Sequence, residues 1–280
     1  MAIIFYAYYE TKETRFNLEY FLEFGGIVDA HFYIFIINGF TDIVFPSLAN
    51  LRVLYRSNRG YDFGAYAAGI HYVSEKFPDF DKIQFFVFLN ASVIGPITHQ
   101  SKGWDWVAHF HSLFLLDPTV RLYSTSIVCL SKDDKGGAGP KVEGFFWCTD
   151  RLGLDLLRKE ETIFINHPSK EMAILQGEYG LTHCLFHKHG FNIGCILTRY
   201  QGIQWRDKKY WHYNNNRHPS RHKSFYGESM NPYETIFHKW HWHDSPQPVH
   251  KDLIDLHIQR LLKLKKTIRV EKKEKKEEGR

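Results

Sequence analysis

Apolar residues along this chain fall into two spacings. Residues 2–8, 31–37 and 83–89 are near-continuous apolar runs, rich in Ile, Val, Phe and Tyr and too short for helices, and 51–55 is a shorter one. Each reads as a buried strand. Residues 14–24 instead put Phe16, Tyr20 and Phe24 on one helical face, and Gly25-Gly26 ends that helix. Residues 62–77, with Ala65, Ala68, Ile70 and Tyr72, predict a second helix, stopped by Pro78. The order is strand, helix, strand, strand, helix, strand. Continuous rather than alternating strands imply a sheet covered on both faces, an α/β sandwich that binds ligands at the carboxyl ends of its strands.

Further along, the pattern predicts a helix over 104–114, a strand over 121–130 and a loop over 131–139. A short strand over 144–148, a helix over 151–158, a helix over 178–189 ended by Gly190, and a strand over 191–197 follow. Between 201 and 249 periodicity is lost, and His, Asn, Trp and Tyr dominate. Residues 252–266 predict a terminal helix running into a charged stretch expected to fray. There is no internal repeat. The reading is one domain over 1–250, then a helix and charged tail over 251–280.

Composition sharpens this picture. With 280 residues, 44% of them apolar, the chain can bury a core, which excludes wholesale disorder. Its 23 Phe, 16 Tyr and 7 Trp can stack on rings or sugars, or simply fill that core. The net charge of +5 lies entirely in residues 261–280; the remaining 260 carry 27 basic and 27 acidic groups. A neutral body gives no nucleic-acid footprint. The tail can touch anionic membrane or a partner, or be a solvated helix end. No window is long and apolar enough for a membrane span. Cys129, Cys148, Cys184 and Cys195 form no CxxC pair, so buried free thiols are expected. The N-terminus reads as a strand rather than a signal peptide, and a cytoplasmic location is expected.

Four segments carry candidate chemistry. In the first, residues 56–66 (RSNRGYDFGAY), Gly60 permits a tight turn, Asp62 can cap the following helix, and Arg56 and Arg59 stand where a phosphate would meet a helix N-terminus. An ordinary capped turn explains the same residues. The second segment, 88–96 (FLNASVIGP), ends a buried strand in Asn90 and Ser92, at a ligand-facing position or merely a capped strand end. In the third, 176–182 (QGEYGLT), Glu178 either favours a helix dipole or acts as a general base. The fourth, 231–240 (NPYETIFHKW), supplies Lys239, a solvated lysine or a cation for a leaving diphosphate. His238, His241, His243 and Asp244 lie close together, preceded by His212, His218 and His222. His-x-His on a strand would put both rings on one face, which suits zinc or manganese, but no Cys or second tight pair completes a set. A single His contributing to a weak Mn²⁺ or Mg²⁺ site with a sugar diphosphate is the favoured alternative. Asp133 and Asp134, in a Gly-rich stretch read as a mobile loop, are further oxygen donors.

The NRGYDFGAY, LNASVIGP, GEYGLT and NPYETIFHK blocks, in that order over roughly residues 2–240, resemble glycosyltransferases of the rhamnan-synthesis type. Chain size and the missing membrane segment are also similar to small glycosyltransferases of large algal viruses. The resemblance implies a GT-A-like nucleotide-diphospho-sugar transferase fold and transfer of a sugar from a nucleotide-sugar donor to a hydroxyl of a glycan acceptor. The viral likeness adds xylose from UDP-xylose as donor and fucose as acceptor. It implies that Tyr8 and Tyr9 lie beside the base, that Arg56, Asn58 and Asp62 hold ribose or diphosphate, and that Glu178 is the base of an inverting reaction. Asp150, beside the aromatic run 145–147, is the second choice. That run is either an acceptor platform or core. Asn90-Ala91-Ser92 stands where many relatives carry Asp-x-Asp, so both metal-binding carboxylates are missing. Mn²⁺ or Mg²⁺ with the donor and metal-independent catalysis, with Arg56, Arg59 and Lys239 as substitute cations, both remain open. The rival reading is a carbohydrate- or nucleotide-sugar-binding protein that keeps the fold without turnover.

Overall fold

The computed structural model describes residues 1–99, 104–242 and 248–278, with side chains in the last helix as far as Lys266. In chain order the elements are β1 (Ala2–Tyr8), α1 (Lys12–Glu23), β2 (Phe32–Asn38), β3 (Leu51–Arg56), α2 (Tyr61–Lys76), β4 (Phe85–Asn90), α3 (Trp106–Leu116), β5 (Val120–Ser124), β6 (Ile127–Leu130), β7 (Gly139–Val142), β8 (Phe146–Asp150) and α4 (Arg151–Arg158). A continuous helical run over 170–188 follows. It comprises α5 (Lys170–Met172), a π-helical turn (Ala173–Glu178), α6 (Tyr179–Thr182) and a second π-helical turn (His183–Lys188). Then come β9 (Asn192–Cys195), α7 (Pro232–Thr235) and α8 (Lys251–Glu278).

Every residue of β1 is buried, which is why its sequence does not alternate. Ile3, Phe5 and Ala7 face one core with Ala65, Tyr66, Ile70 and Val73 of α2 and Leu154 and Leu157 of α4. Ile4, Tyr6 and Tyr8 face the other with Leu18 and Phe21 of α1 and Val107 and Phe110 of α3. The sheet between these layers has the order β3-β2-β1-β4-β8-β5-β9. β8 is antiparallel to both its neighbours, and the other pairings are parallel. This is the expected α/β sandwich with a mostly parallel sheet, Rossmann-like in its layering. The carboxyl ends of β1–β5 and β9 and the amino end of β8 share one edge.

Several boundaries differ from expectation. The single strand predicted over 121–130 is two strands, because the buried turn Ser124-Thr125-Ser126 redirects the chain. Ser124 Oγ donates to the carbonyls of Glu143 and Phe146, and β6 pairs instead with β7 in a separate two-stranded sheet. β7 was not expected: the predicted loop runs to Gly139, and Pro140 is a poor strand residue. The helix predicted from 178 starts at Lys170, capped by Ser169, whose Oγ accepts from the Met172 amide. Asp62 is not the cap of α2. Gly60 is, in the left-handed region at φ 73°, and a Cβ there would lie 2.3 Å from the Asn166 Cα. α8 continues to Glu278 instead of ending near 266, and Ile254, Ile258 and Leu261 pack it against Tyr20, Ile94 and Trp240. All four cysteines are free and buried, as expected. No helix among the described residues is long and apolar enough to cross a membrane.

Candidate functional site

At the shared edge, β4 ends in Asn90 while α2 begins beside it. Asn90 Nδ2 donates to Asp62 Oδ2 at 2.6 Å. Asn90 Oδ1 accepts from the Ser92 amide at 3.0 Å and from Ser92 Oγ at 2.6 Å. Lys239, delivered by the segment after α7, donates from Nζ to Ser92 Oγ at 3.0 Å. That segment is held to the edge by paired backbone bonds between Ile94 and His238. Asp62, Asn90, Ser92 and Lys239 thus form one hydrogen-bonded chain from residues far apart in sequence. Burial lowers the Lys239 pKa, opposed by the surrounding carboxyls of Glu13, Glu178, Asp62 and Glu143. Its ammonium also lies 4.8 Å from the centre of the Trp242 ring, a favourable cation–π distance. Burial raises the Asp62 pKa, with Asn90 and Lys239 acting against it.

Across from this chain lies Glu178, in the first π-helical turn of the 170–188 run. Burial, and next the nearby Glu143, raise its pKa to about 7; a hydrogen bond from the Gly144 amide, His218 and Lys239 pull the other way. Gly144 is required here by close approach, since a Cβ would meet Glu178 Cγ at 2.7 Å and Oε2 at 3.0 Å. Glu143 was not foreseen from the sequence. Its side chain is 2% exposed, and its Oε1 accepts from His218 Nδ1 at 3.1 Å and Ser220 Oγ at 2.6 Å, while Ser126 Oγ donates to Oε2. Burial alone would raise the Glu143 pKa, but His218, Ser126 and Ser220 hold it below the usual carboxylate value. The His218 pKa is raised: burial lowers it, and Glu143 more than compensates. The edge therefore carries a carboxyl and an imidazole that hold each other's charged forms, beside a carboxyl whose pKa is raised to about 7.

The other predicted residues divide. Arg56 joins the turns around the edge: it donates to Asn38 Oδ1 at 2.5 Å, to the Arg59 carbonyl at 2.7 Å and to Asn166 Oδ1 at 2.6 Å. Asn58 and Arg59 are exposed on the β3–α2 turn. Tyr8 is buried in the core, its hydroxyl donating to Glu10 Oε2 at 2.6 Å, whereas Tyr9 is 52% exposed at the same strand end. Asp150 is a correction. It closes β8 at the opposite edge, opposite Phe85, where it caps α4 by accepting from the Gly153 amide at 2.8 Å and lies 3.3 Å from Arg121. Antiparallel β8 puts the two ends of one short strand on different sides of the molecule. The aromatic run 145–147 is core: all three are buried, and Trp147 stacks on Phe88 with ring centres 4.0 Å apart.

Among the described residues, the candidate histidines form no common metal set. His238 is fully buried, which pushes its pKa down to about 3, and its ring is 5.8 Å from that of His250. His241 lies in irregular structure rather than on a strand, with Nδ1 3.8 Å from Glu13 Oε2. His243 and Asp244 lie outside the described residues. Among the described residues, none of His212, His218, His222, His238 and His241 belongs to a group of three metal-ligating side chains. Asp134 Oδ1 accepts from the Gly136 amide within its own turn.

The oxygen donors at the Asp62–Asn90–Ser92 chain are largely engaged. Both Asn90 side-chain atoms are used, and an ammonium already sits on Ser92 Oγ. The set offers a divalent cation one carboxylate, Asp62, whose Oδ2 already accepts from Asn90; Mg²⁺ or Mn²⁺ held there would draw most of its oxygens from a donor diphosphate and water. No protein-family model matches this sequence, and no curated protein matches it.

Proposed function

We propose that the protein is a glycosyltransferase with a GT-A-like arrangement of its α/β layers, moving a sugar from a nucleotide diphosphate to a hydroxyl of a glycan acceptor with inversion. One observation carries the reading: a carboxyl with its pKa near 7 shares the ligand-facing edge with a desolvated lysine. Inversion needs a base on the face of the sugar opposite the leaving group. Glu178 takes the acceptor hydroxyl proton as that oxygen bonds the anomeric carbon. The bond from carbon to phosphate oxygen breaks with its electron pair leaving on the diphosphate, through an oxocarbenium-like state. Lys239 supplies the positive charge that the departing diphosphate needs, pre-positioned by Ser92.

Acidic residues around the site do not defeat this assignment. Glu143 is paired with His218, whose charged form it favours, and Asp62 and Glu178 hold protons more tightly than free carboxyls. Asn90 and Ser92 are occupied internally, and Lys239 does the electrostatic work. Asn58 and Arg59 on the exposed turn, with Tyr9, stand at the rim for the rest of the donor.

The test is thermal stabilisation by a panel of nucleotide sugars, with and without Mn²⁺, Mg²⁺ or chelator, followed by transfer assays. UDP-xylose with a fucose acceptor is the first pair. Expected is stabilisation by one nucleotide class without added metal, and transfer lost in Glu178→Gln with donor binding kept. Transfer unchanged in Glu178→Gln removes the base assignment. Stabilisation without transfer to any acceptor favours the binding-protein reading.

A further inference from the structure

The second π-helical turn, His183–Lys188, places together residues that an α-helix would separate. Its last backbone bond runs from the His189 amide to the Cys184 carbonyl at 3.0 Å, a span of five residues. Residues five apart in an α-helix point about 140° away from each other. Here the wider turn brings Cys184 and His189 to one side, and π-turns of this kind are frequent at functional sites. Glu160, in the turn that follows α4, completes a group. One ligand atom from each of Glu160, Cys184 and His189 lies within 4.8 Å of the others.

We propose that Glu160, Cys184 and His189 form a zinc site, separate from the sheet-edge residues and independent of the glycosyltransferase reading. Ligand atoms around one tetrahedral zinc stand about 3.5 Å apart, so small side-chain rotations close the set. Sulfur, imidazole nitrogen and carboxylate oxygen together suit a borderline-soft ion better than Mg²⁺ or Mn²⁺. A cation already occupies part of the place: the Lys188 ammonium pairs with Glu160 Oε1, and that side chain is 54% exposed, free to swing into solvent. His189 is exposed and gives the ion its entry, while Cys184 is buried behind it. On binding, the Cys184 thiol releases its proton to solvent, and thiolate plus carboxylate balance the two charges of the ion. The fourth position is left to water. The ion would fasten the turn after α4 to the downstream end of the helical run that presents Glu178.

Cobalt(II) titration of the full-length, chelator-treated protein tests this, because a thiolate ligand adds a charge-transfer absorption in the near ultraviolet. The expected result is an absorption that saturates at one cobalt per chain and disappears when zinc is added. It is lost in Cys184→Ser and kept in Cys129→Ser, whose thiol is outside the group. His189→Ala and Glu160→Gln each weaken cobalt binding by about tenfold or more. His189 is exposed, so its variant keeps the fold and decides the matter if Cys184→Ser does not fold. No thiolate absorption, an absorption that survives Cys184→Ser, or unchanged affinity in His189→Ala overturns the site.

Discussion

The two edges of the sheet hold the same kinds of residue to different ends. At the amino edge of the parallel strands, Asp150 accepts from the Gly153 amide and lies beside Arg121, while Thr149 Oγ1 donates to the Arg121 carbonyl. These groups answer one another and tie β8 to α4. At the opposite edge Glu178, Asp62 and Lys239 are desolvated together, and their pKa values are displaced toward neutrality. Polar groups that close on one another contribute stability. Charges of both signs held apart in a dry site keep their chemistry available, and perturbed acids in clefts are candidates for function on that ground.

The largest expected effect tests that contrast directly. Glu178→Gln should lower transfer by about 10²–10⁴-fold with donor stabilisation retained, whereas Asp150→Ala should leave turnover per folded molecule unchanged. In the unsubstituted protein, kcat/KM should rise with pH through about 7, as Glu178 becomes the free base. A pH profile without that limb breaks the comparison. Lys239→Met should cost about 10²–10³-fold in transfer, measured in the same assay, because the departing charge loses its partner while a side chain of similar length still fills the place beside Trp242.

Stability should respond with the opposite sign. The Glu178 pKa is raised above the ordinary 4.5, so its contribution is fully present below about pH 4.5 and is lost as pH rises through about 7. Glu178→Gln should therefore be more stable than the parent at pH 8, by about 2 kcal/mol, and not at pH 4. Denaturant melts at both pH values check this. A glycine pair sharpens the contrast further. Gly144→Ala pushes on the Glu178 side chain and should lower transfer by about tenfold in a folded protein. Gly153→Ala meets Thr149 Oγ1 at 2.0 Å and should lower the melting temperature instead. The smallest effect is Asp150→Ala, about 1 kcal/mol of stability from the lost helix cap.

Much of this was legible before any coordinates. Unbroken apolar runs at 2–8, 31–37 and 83–89 state a sheet covered on both faces, and the segments 56–66, 88–96, 176–182 and 231–240 supplied Asp62, Asn90, Ser92, Glu178 and Lys239, which do meet at one edge. Asp150 was misplaced because strand direction is invisible in a five-residue apolar run; only pairing with β4 and β5 makes β8 antiparallel. Glu143 was missed, and His218 was read only as a metal candidate, because nothing local marks their pairing: they stand 75 residues apart and acquire meaning through a 3.1 Å contact.

Local periodicity thus determined the layers and the order of the elements, since burial on one or two faces writes itself directly into the spacing of apolar residues. The tertiary structure alone decided which charged groups share a dry environment. A pKa depends on desolvation and on charges within a few ångströms, and those neighbours come from α2, the turn between β7 and β8, the 170–188 run and the segment after α7, which only the folded chain brings together.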